Sequence, residues 1–139
     1  MIHLKPADKS DAYFLATLEA EVMQAHATAL WGHYQPAELS SFDIAATRVI
    51  YRADRQIGYA TVEGNADHLH LRKLYLTPAA QGCGIGAEVL AVIRAEADAA
   101  GLPLRLSVLA PNTRALAFCL RQGLQVADAT PERFFLQSA

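Results

Sequence analysis

The spacing of apolar residues predicts a short strand and then a helix at the start of the chain. Residues 2–4 form a strand-like run, and residues 6–23 carry one helical stripe of apolar side chains: Phe14, Leu15, Leu18, Val22 and Met23. Asp8 or Ser10 can cap this helix, because a short polar side chain accepts a hydrogen bond from free N–H groups there. Between residues 26 and 42 the pattern loosens, which predicts a helix end, a loop and a short second helix.

The rest of the chain reads as a meander followed by alternating helices and strands. Residues 47–78 contain three strand-like runs separated by two turn-like segments, which predicts an antiparallel meander. A helix is expected over residues 84–101, with an apolar face made of Ile85, Val89, Val92 and Ile93. Residues 102–110 predict a strand, residues 111–123 a helix, and residues 124–137 a final pair of strands.

This order of elements predicts an α/β fold with a mixed, mostly antiparallel sheet of about six or seven strands, flanked by about four helices. A length of 139 residues fits a single domain over residues 1–139. No apolar run reaches the roughly 18 to 20 residues that span a bilayer, so no membrane partner is expected. The charged N-terminal stretch is unlike a signal peptide, and we expect a cytoplasmic protein.

Charge and cysteine usage exclude several kinds of partner. The formal net charge is −2 and the twelve Lys and Arg residues are scattered, which argues against a nucleic-acid partner. The two cysteines, Cys83 and Cys119, form neither a zinc-ligand spacing nor a disulfide framework. Their pattern suits a reducing compartment.

A glycine-rich junction stands between the last meander strand and the helix after it. Gly82, Gly84 and Gly86 crowd into five residues at the helix start, where free N–H groups and the helix dipole favour an anionic group such as phosphate. The alternative is a tight turn without a ligand. A P-loop is excluded because Gly-Lys-Ser/Thr is absent. The dinucleotide pattern matches Gly82, Gly84 and Ala87, but the next strand ends without an acidic residue.

Two signatures make the chain resemble the GNAT superfamily of N-acetyltransferases. The Q/R-x-x-G-x-G/A pattern is filled by Gln81, Gly84 and Gly86, after a strand of the L-x-V-x-P type. The second, N-x-x-A-x-x-F-Y followed by G-F, is represented by Asn112, Ala115, Phe118, Gly123 and Leu124, with Cys119 at the tyrosine position.

The resemblance implies acetyl-CoA as cosubstrate, and no metal is expected because no set of ligand residues is identifiable in the sequence. Its pyrophosphate is expected on the glycine junction, with pantetheine between the strands that contain residues 74–76 and 105–109. A backbone amide near Leu74 or Tyr75 is expected to polarise the acetyl carbonyl. The expected cosubstrate-binding residues are Leu74, Tyr75, Leu76, Gln81, Gly82, Cys83, Gly84, Ile85, Gly86, Ala87, Asn112 and Phe118.

His70 is the predicted catalytic base, because some relatives place the base eleven residues before the Gln81 position. A neutral imidazole accepts a proton at cell pH, and His68 on the same strand face is a predicted relay and acceptor-site residue. The alternatives are a solvent-facing histidine pair beside Arg72, or a zinc pair that lacks a third ligand.

Cys119 is the candidate acid that protonates the leaving thiolate, with simple packing as its alternative. Cys83 stands where relatives often have Lys or Arg, which predicts one phosphate-pairing charge fewer. Trp31, His33 and Tyr34 lie in the region that covers the acceptor in relatives, with local packing as the alternative.

The predicted function is transfer of an acetyl group to a primary amine of a small molecule, by direct attack in a ternary complex. The competing hypothesis is a catalytically silent CoA-binding sensor or partner module. The last two strands permit a homodimer, and equally permit simple closure of the sheet.

Overall fold

The computed structural model describes residues 2–138, and a seven-stranded sheet is its central element. The strands are β1 (Ile2–Pro6), β2 (Thr47–Arg52), β3 (Arg55–Gly64), β4 (Leu69–Leu76), β5 (Leu104–Leu109), β6 (Gln125–Ala129) and β7 (Arg133–Gln137). Their order is β1-β2-β3-β4-β5-β7-β6, with β4 and β5 parallel and the other neighbours antiparallel. The predicted mixed, mostly antiparallel sheet is therefore confirmed.

Three α-helices flank the sheet within residues 2–138: α1 (Ala12–Trp31), α2 (Ile85–Ala99) and α3 (Thr113–Arg121). The short helix expected between residues 26 and 42 does not form as an α-helix, because only a 3₁₀ turn at 39–41 is found there. Pro36 lacks a backbone donor, and α1 itself continues to Trp31 before Gly32 ends it with a φ of 79°. Among residues 2–138, no helix is long and apolar enough to cross a bilayer.

The helices cover both faces of the sheet, as predicted. α1 packs on one face through Leu15 and Leu18, which are buried with Val49 and Tyr59. α2 and α3 pack on the other face over a larger cluster that includes Ile50, Ala60, Leu71, Val89, Ile93, Leu104, Leu106, Val108, Cys119 and Leu136.

The apolar face predicted for α2 is wrong at one position. Val92 is 42% exposed, because it lies at the margin of the buried face. Leu90 and Ala97 are buried on that face instead.

The parallel strands β4 and β5 pair at only two positions. Leu69 lies opposite Leu104, and His70 opposite Arg105. Beyond these pairs the strands diverge, and we call this divergence the β4–β5 fork. It opens a gap in an otherwise continuous sheet.

A β-bulge at Arg72 changes which face each β4 side chain occupies. Thr61 of β3 pairs with Lys73 while Val62 pairs with Leu71, so Arg72 is left over. The α2 face of β4 carries Leu69, Leu71, Leu74 and Leu76. His70, Lys73 and Tyr75 consequently belong to the α1 face.

Candidate functional site

A cavity of about 180 Å³ occupies the β4–β5 fork, and we call it the fork cavity. α1 contributes one wall, α3 with one residue of α2 contributes another, and strands β4, β5 and β7 contribute the rest. It is lined by Val22, Met23, Leu71, Arg72, Lys73, Leu74, Tyr75, Leu90, Leu106, Ser107, Val108, Leu109, Asn112, Ala115, Phe118, Cys119 and Arg133. Five residues predicted from the sequence meet here: Leu74, Tyr75, Asn112, Phe118 and Cys119.

The facing edges of β4 and β5 leave backbone groups available inside the fork. β4 pairs with β3 on its other edge, and β5 pairs with β7. Past His70 and Arg105 the two facing edges no longer pair with each other. Buried backbone N–H and C=O groups need partners, so a bound chain with amide groups of its own satisfies them. The pantetheine arm of CoA is such a chain.

The segment Gln81–Gly86, the glycine loop, forms an open cradle at the start of α2. Gly82 and Gly84 have φ values of 76° and 81°, a conformation that favours glycine. No side chain caps α2, and nothing lies within 4 Å of where a Cβ of Gly84 would be. The first helical N–H groups therefore lack partners in the helix, and the loop fits a pyrophosphate.

Arg114 brings a positive charge to this loop from α3. Its Nη1 donates to Gln81 Oε1 at 3.2 Å, and its Nη2 is 3.9 Å from the position that a Cβ of Gly82 would occupy. Arg114 was not predicted from the sequence, which drew attention only to the missing cation at the exposed Cys83. Arg114 could have been found from the sequence, because it lies two residues after Asn112, in the first turn of α3.

His70 is the last β4 residue paired before the fork, and it is half-buried. Burial lowers its pKa, Glu63 opposite on β3 opposes that change, and His68 and Arg72 reinforce it. His70 does not line the fork cavity. It lines a neighbouring groove with His68, Arg105, Asp128, Phe135 and Gln137, and both hollows share Leu106 and Ser107.

His68 lies beside His70, with ring centroids 6.1 Å apart, but its ring nitrogens already have partners. Nδ1 is 2.7 Å from Asp67 Oδ1, and Nε2 is 3.3 Å from Asn65 Nδ2. No group of three or more His, Cys, Asp or Glu residues suited to a metal ion occurs among residues 2–138.

Cys119 is buried in the wall of the fork cavity, on α3. Burial raises the pKa of its thiol to about 11. The thiol is therefore protonated at neutral pH and faces the fork.

The three aromatic residues predicted for the acceptor site lie outside both hollows. Trp31 Nε1 donates to Glu132 Oε2 at 2.6 Å and so ties the end of α1 to the turn before β7. His33 is exposed, and its Nδ1 lies 3.1 Å from the Trp31 carbonyl oxygen. Burial and the nearby Glu19 carboxylate raise the pKa of Tyr34.

Charged residues on the α1 face of the fork were not predicted from the sequence. Lys73 Nζ donates to Glu19 Oε2 at 2.5 Å and lies 4.6 Å from the centre of the Phe42 ring. Arg133 Nη1 donates to Ser107 Oγ at 3.5 Å. These contacts depend on the bulge in β4 and on a pairing between distant strands, which no local pattern indicates.

Solved structures share this fold over nearly the whole chain. PaiA N-acetyltransferase from Thermoplasma acidophilum, solved in complex with coenzyme A, is 18% identical, with 99% of this chain and 98% of its own covered and a TM-score of 0.81. An acetyltransferase from Thermus thermophilus is 21% identical, with coverages of 99% and 96% and a TM-score of 0.76. Arabidopsis thaliana Naa50, in complex with the bisubstrate analogue CoA-Ac-MVNAL, is 16% identical, with coverages of 99% and 98% and a TM-score of 0.70. No curated protein matches the chain.

A sequence family also matches most of the chain. The model described as Acetyltransferase (GNAT) family matches residues 13–124. This range includes the fork, the glycine loop and the whole of α3, and it spans well over half of the chain. The chain therefore belongs to the GNAT family of acetyltransferases, and its cosubstrate is acetyl-CoA.

Proposed function

We propose that this protein is an N-acetyltransferase that acetylates a primary amine of a small molecule by direct attack within a ternary complex. The observation that carries the proposal is the fork cavity, which is lined by Val22 and Met23 of α1 and, from the opposite face of the sheet, by Leu90 of α2 and Phe118 and Cys119 of α3. A cavity with walls from both faces allows a thioester from one side to meet an amine from the other. N-acetyltransferases among the structural neighbours support the same reaction.

In this proposal the chain binds acetyl-CoA along the fork. The N–H groups from Gly82 to Ala87 and the Gln81 side chain hold the pyrophosphate, assisted by Arg114. The edges of β4 and β5 hold the pantetheine arm, and an amide of Leu74 or Tyr75 polarises the acetyl carbonyl. Coenzyme A in the Thermoplasma acidophilum structure supports this use of the fold. The remaining contacts come from Leu76, Asn112 and Phe118, which adjoin the loop or line the cavity.

His70 is proposed as the base that accepts the amine proton through an ordered water. Its lowered pKa supports a neutral imidazole at neutral pH, and its position at the fork supports access to the reacting amine. His68 has partners at both nitrogens, which argues against the relay role expected from the sequence, and we keep it as an acceptor-side residue beside His70.

Cys119 is proposed as the acid that returns a proton to the sulfur of CoA as the C–S bond breaks. The protonated, buried thiol in the cavity wall supports this role. We predict that Cys119→Ala lowers kcat by up to about 10²-fold while Cys119→Ser, which keeps an O–H donor, retains most activity. Stopped-flow release of CoA measures both variants. If both are as fast as the parent protein, the thiol serves only packing.

The acceptor side is proposed to include Trp31, His33 and Tyr34, at the end of α1 and just beyond it. Small-molecule specificity, a cytoplasmic location and a homodimer all remain predictions. The exposed edge strand β6 supports the dimer, because its free edge can pair with another strand. The cysteines, both free thiols, support a reducing compartment.

A second candidate function is a CoA-binding sensor that transfers nothing. It is favoured by the cysteine at the tyrosine position, because a thiol with a pKa of about 11 is a weak proton donor. In that case the fork still binds CoA.

Acetyl transfer to a pooled panel of amines tests the proposal directly. The protein is incubated with acetyl-CoA and amino acids, polyamines, simple amines and peptides, and free CoA and acetylated masses are followed together. An acetylated small molecule is the expected result. Acetylated peptides alone would contradict the small-molecule proposal. Binding of acetyl-CoA without release of CoA across the panel would favour the sensor.

A further inference from the structure

The charged side chains that line the fork cavity are all cationic. Three cationic residues line it, Arg72, Lys73 and Arg133, and no aspartate or glutamate does. The acetyl and pantetheine parts of the cosubstrate carry no charge that explains three cations here. We therefore ask whether the positive charge serves to bind the other reactant, the acceptor amine.

Two of the three cationic residues form an ion pair with a carboxylate. Lys73 pairs with Glu19, and Arg72 lies 3.6 Å from a carboxylate oxygen of Glu63. Among residues 2–138, no carboxylate lies within 4.0 Å of the Arg133 guanidinium. Its one side-chain hydrogen bond is the long one to Ser107 Oγ, at 3.5 Å. Arg133 is the uncompensated charge of the cavity.

Arg133 points to the side of the sheet where the amine is expected. Arg133 and Ser107 lie on strands β7 and β5, on the face opposite α2 and α3, whose cluster takes Leu106, Val108 and Leu136 from these strands. The glycine loop and Arg114 belong to the other face, so Arg133 is not a partner of the pyrophosphate. Arg133 and Tyr75 both line the fork cavity. Burial raises the pKa of Tyr75, Glu19 adds to this rise, and the Arg133 charge opposes it, in keeping with that placement.

The distance to the proposed base suits a short molecule. Ser107 is two residues beyond Arg105, which pairs with His70, and two strand residues span about 7 Å. The Arg133 guanidinium contacts Ser107 through its hydrogen bond to Oγ. An anionic group held there lies a few ångströms from an amine positioned between the thioester and His70.

We propose that the acceptor is a small amine bearing a carboxylate, which Arg133 binds through its planar pair of N–H donors. The preferred acceptors are thus amino acids, and neutral amines and polyamines are poor ones. This inference rests on the proposed N-acetyltransferase function and names the substrate class for it. An arginine fork matches a carboxylate in geometry and charge, and such hydrogen bonds are the stronger kind.

Matched pools of acceptors test the assignment. The protein is given acetyl-CoA with a pool of free amino acids or with a pool of the corresponding amino acid amides, and acetylated masses are quantified. We expect the acids to be preferred by about 10- to 100-fold in kcat/KM, from the worth of a charged hydrogen bond. A third pool of peptides with amidated C termini, half with an acidic second residue, separates free amino acids from acidic peptides.

Three variants connect the preference to Arg133. Arg133→Gln is expected to remove the preference for acids while leaving the KM for acetyl-CoA unchanged, and Arg133→Lys is expected to keep part of it. Arg55→Gln, at the exposed first residue of β3, removes the same charge elsewhere and is expected to keep the preference. Equal use of acids and amides, or a preference that survives Arg133→Gln, would overturn the proposal.

Binding measurements separate this inference from the proposed function. Calorimetry with pooled N-acetyl amino acids and with their amides, in the presence of CoA, reads carboxylate recognition without turnover. Acids that bind through Arg133 in a protein that acetylates nothing would contradict the transferase and leave the carboxylate site standing. Acetylated amines together with equal binding of acids and amides would leave the transferase standing and end this proposal. Neither transfer nor binding would overturn both.

Discussion

At the residue scale, burial and charge set the protonation state of the groups around the fork. Burial lowers the pKa of His70 from its ordinary value of 6.5, although Glu63 acts in the opposite direction. The pKa of the Cys119 thiol is raised to about 11. A neutral imidazole and a neutral thiol therefore coexist at pH 7, and these are the forms that a base and an acid require.

We predict that His70→Ala lowers kcat/KM by about 10²- to 10⁴-fold at neutral pH, the usual contribution of a positioned base. The ratio of parent to variant activity should fall as pH drops below 6.5 and through the lowered His70 pKa, because the parent base becomes protonated. Ionisation of the amine affects both proteins and cancels in the ratio. His3→Ala, on the exposed edge strand β1, is the control. A ratio that does not change with pH would assign the proton transfer to another group.

We predict that Arg114→Ala raises the Kd for acetyl-CoA by about tenfold or more, because it removes a charged hydrogen-bond donor from the pyrophosphate cradle. Acetyl-pantetheine lacks the pyrophosphate, so the same variant should use it as well as the parent protein does. Isothermal calorimetry with the two ligands measures the difference. An equal loss for both would show that Arg114 supports α3 rather than the phosphate.

At the element scale, the site depends on where β4 lies relative to its neighbours. β3 contains Gly58, and a Cβ there would lie 2.3 Å from the Tyr75 carbonyl oxygen and 2.8 Å from Leu76 Cδ2. A backbone atom cannot rotate away as a side chain can. Glycine at this position therefore lets β4 approach β3 closely, at the residues proposed to contact the acetyl group.

We predict that Gly58→Ala destabilises the protein by about 1–3 kcal/mol, the usual cost of overpacking, and lowers kcat as β4 is displaced. Gly64→Ala is a matched control at the end of the same strand, where nothing lies within 4 Å of a new Cβ. Thermal unfolding and steady-state kinetics on both variants measure the effect. Equal behaviour of the two variants would mean that the position of β4 does not depend on Gly58.

The sequence was most informative about elements whose pattern is local. All seven strands, α2, α3 and the glycine loop follow from periodicity and from the placement of glycines. The bulge at Arg72 was not predictable, because it becomes visible only in the register between β3 and β4. Arg133 and Glu19 escaped for the same reason, since their neighbours Ser107 and Lys73 are distant in sequence. His70 was found through a family spacing and not through its environment.

At the scale of the whole molecule, the sheet has two halves joined by a short parallel contact. β1 to β4 form one antiparallel unit, and β5 to β7 the other. Between β4 and β5, pairing is limited to Leu69 with Leu104 and His70 with Arg105. A ligand that bridges the open part of the fork joins the two halves. Because it binds the folded chain and not the unfolded one, it must stabilise the molecule.

We predict that acetyl-CoA raises the melting temperature, with about 2.7 kcal/mol of added stability at a concentration 100 times its Kd. NADH should have little effect, because the glycine loop follows an antiparallel meander and no acidic residue ends β5. Arg114→Ala should reduce the shift with acetyl-CoA, since part of the binding energy comes from the pyrophosphate. Differential scanning fluorimetry over a range of ligand concentrations measures all three. A larger shift with NADH would identify the glycine loop as a dinucleotide site, and an unchanged shift in Arg114→Ala would remove that arginine from the phosphate cradle.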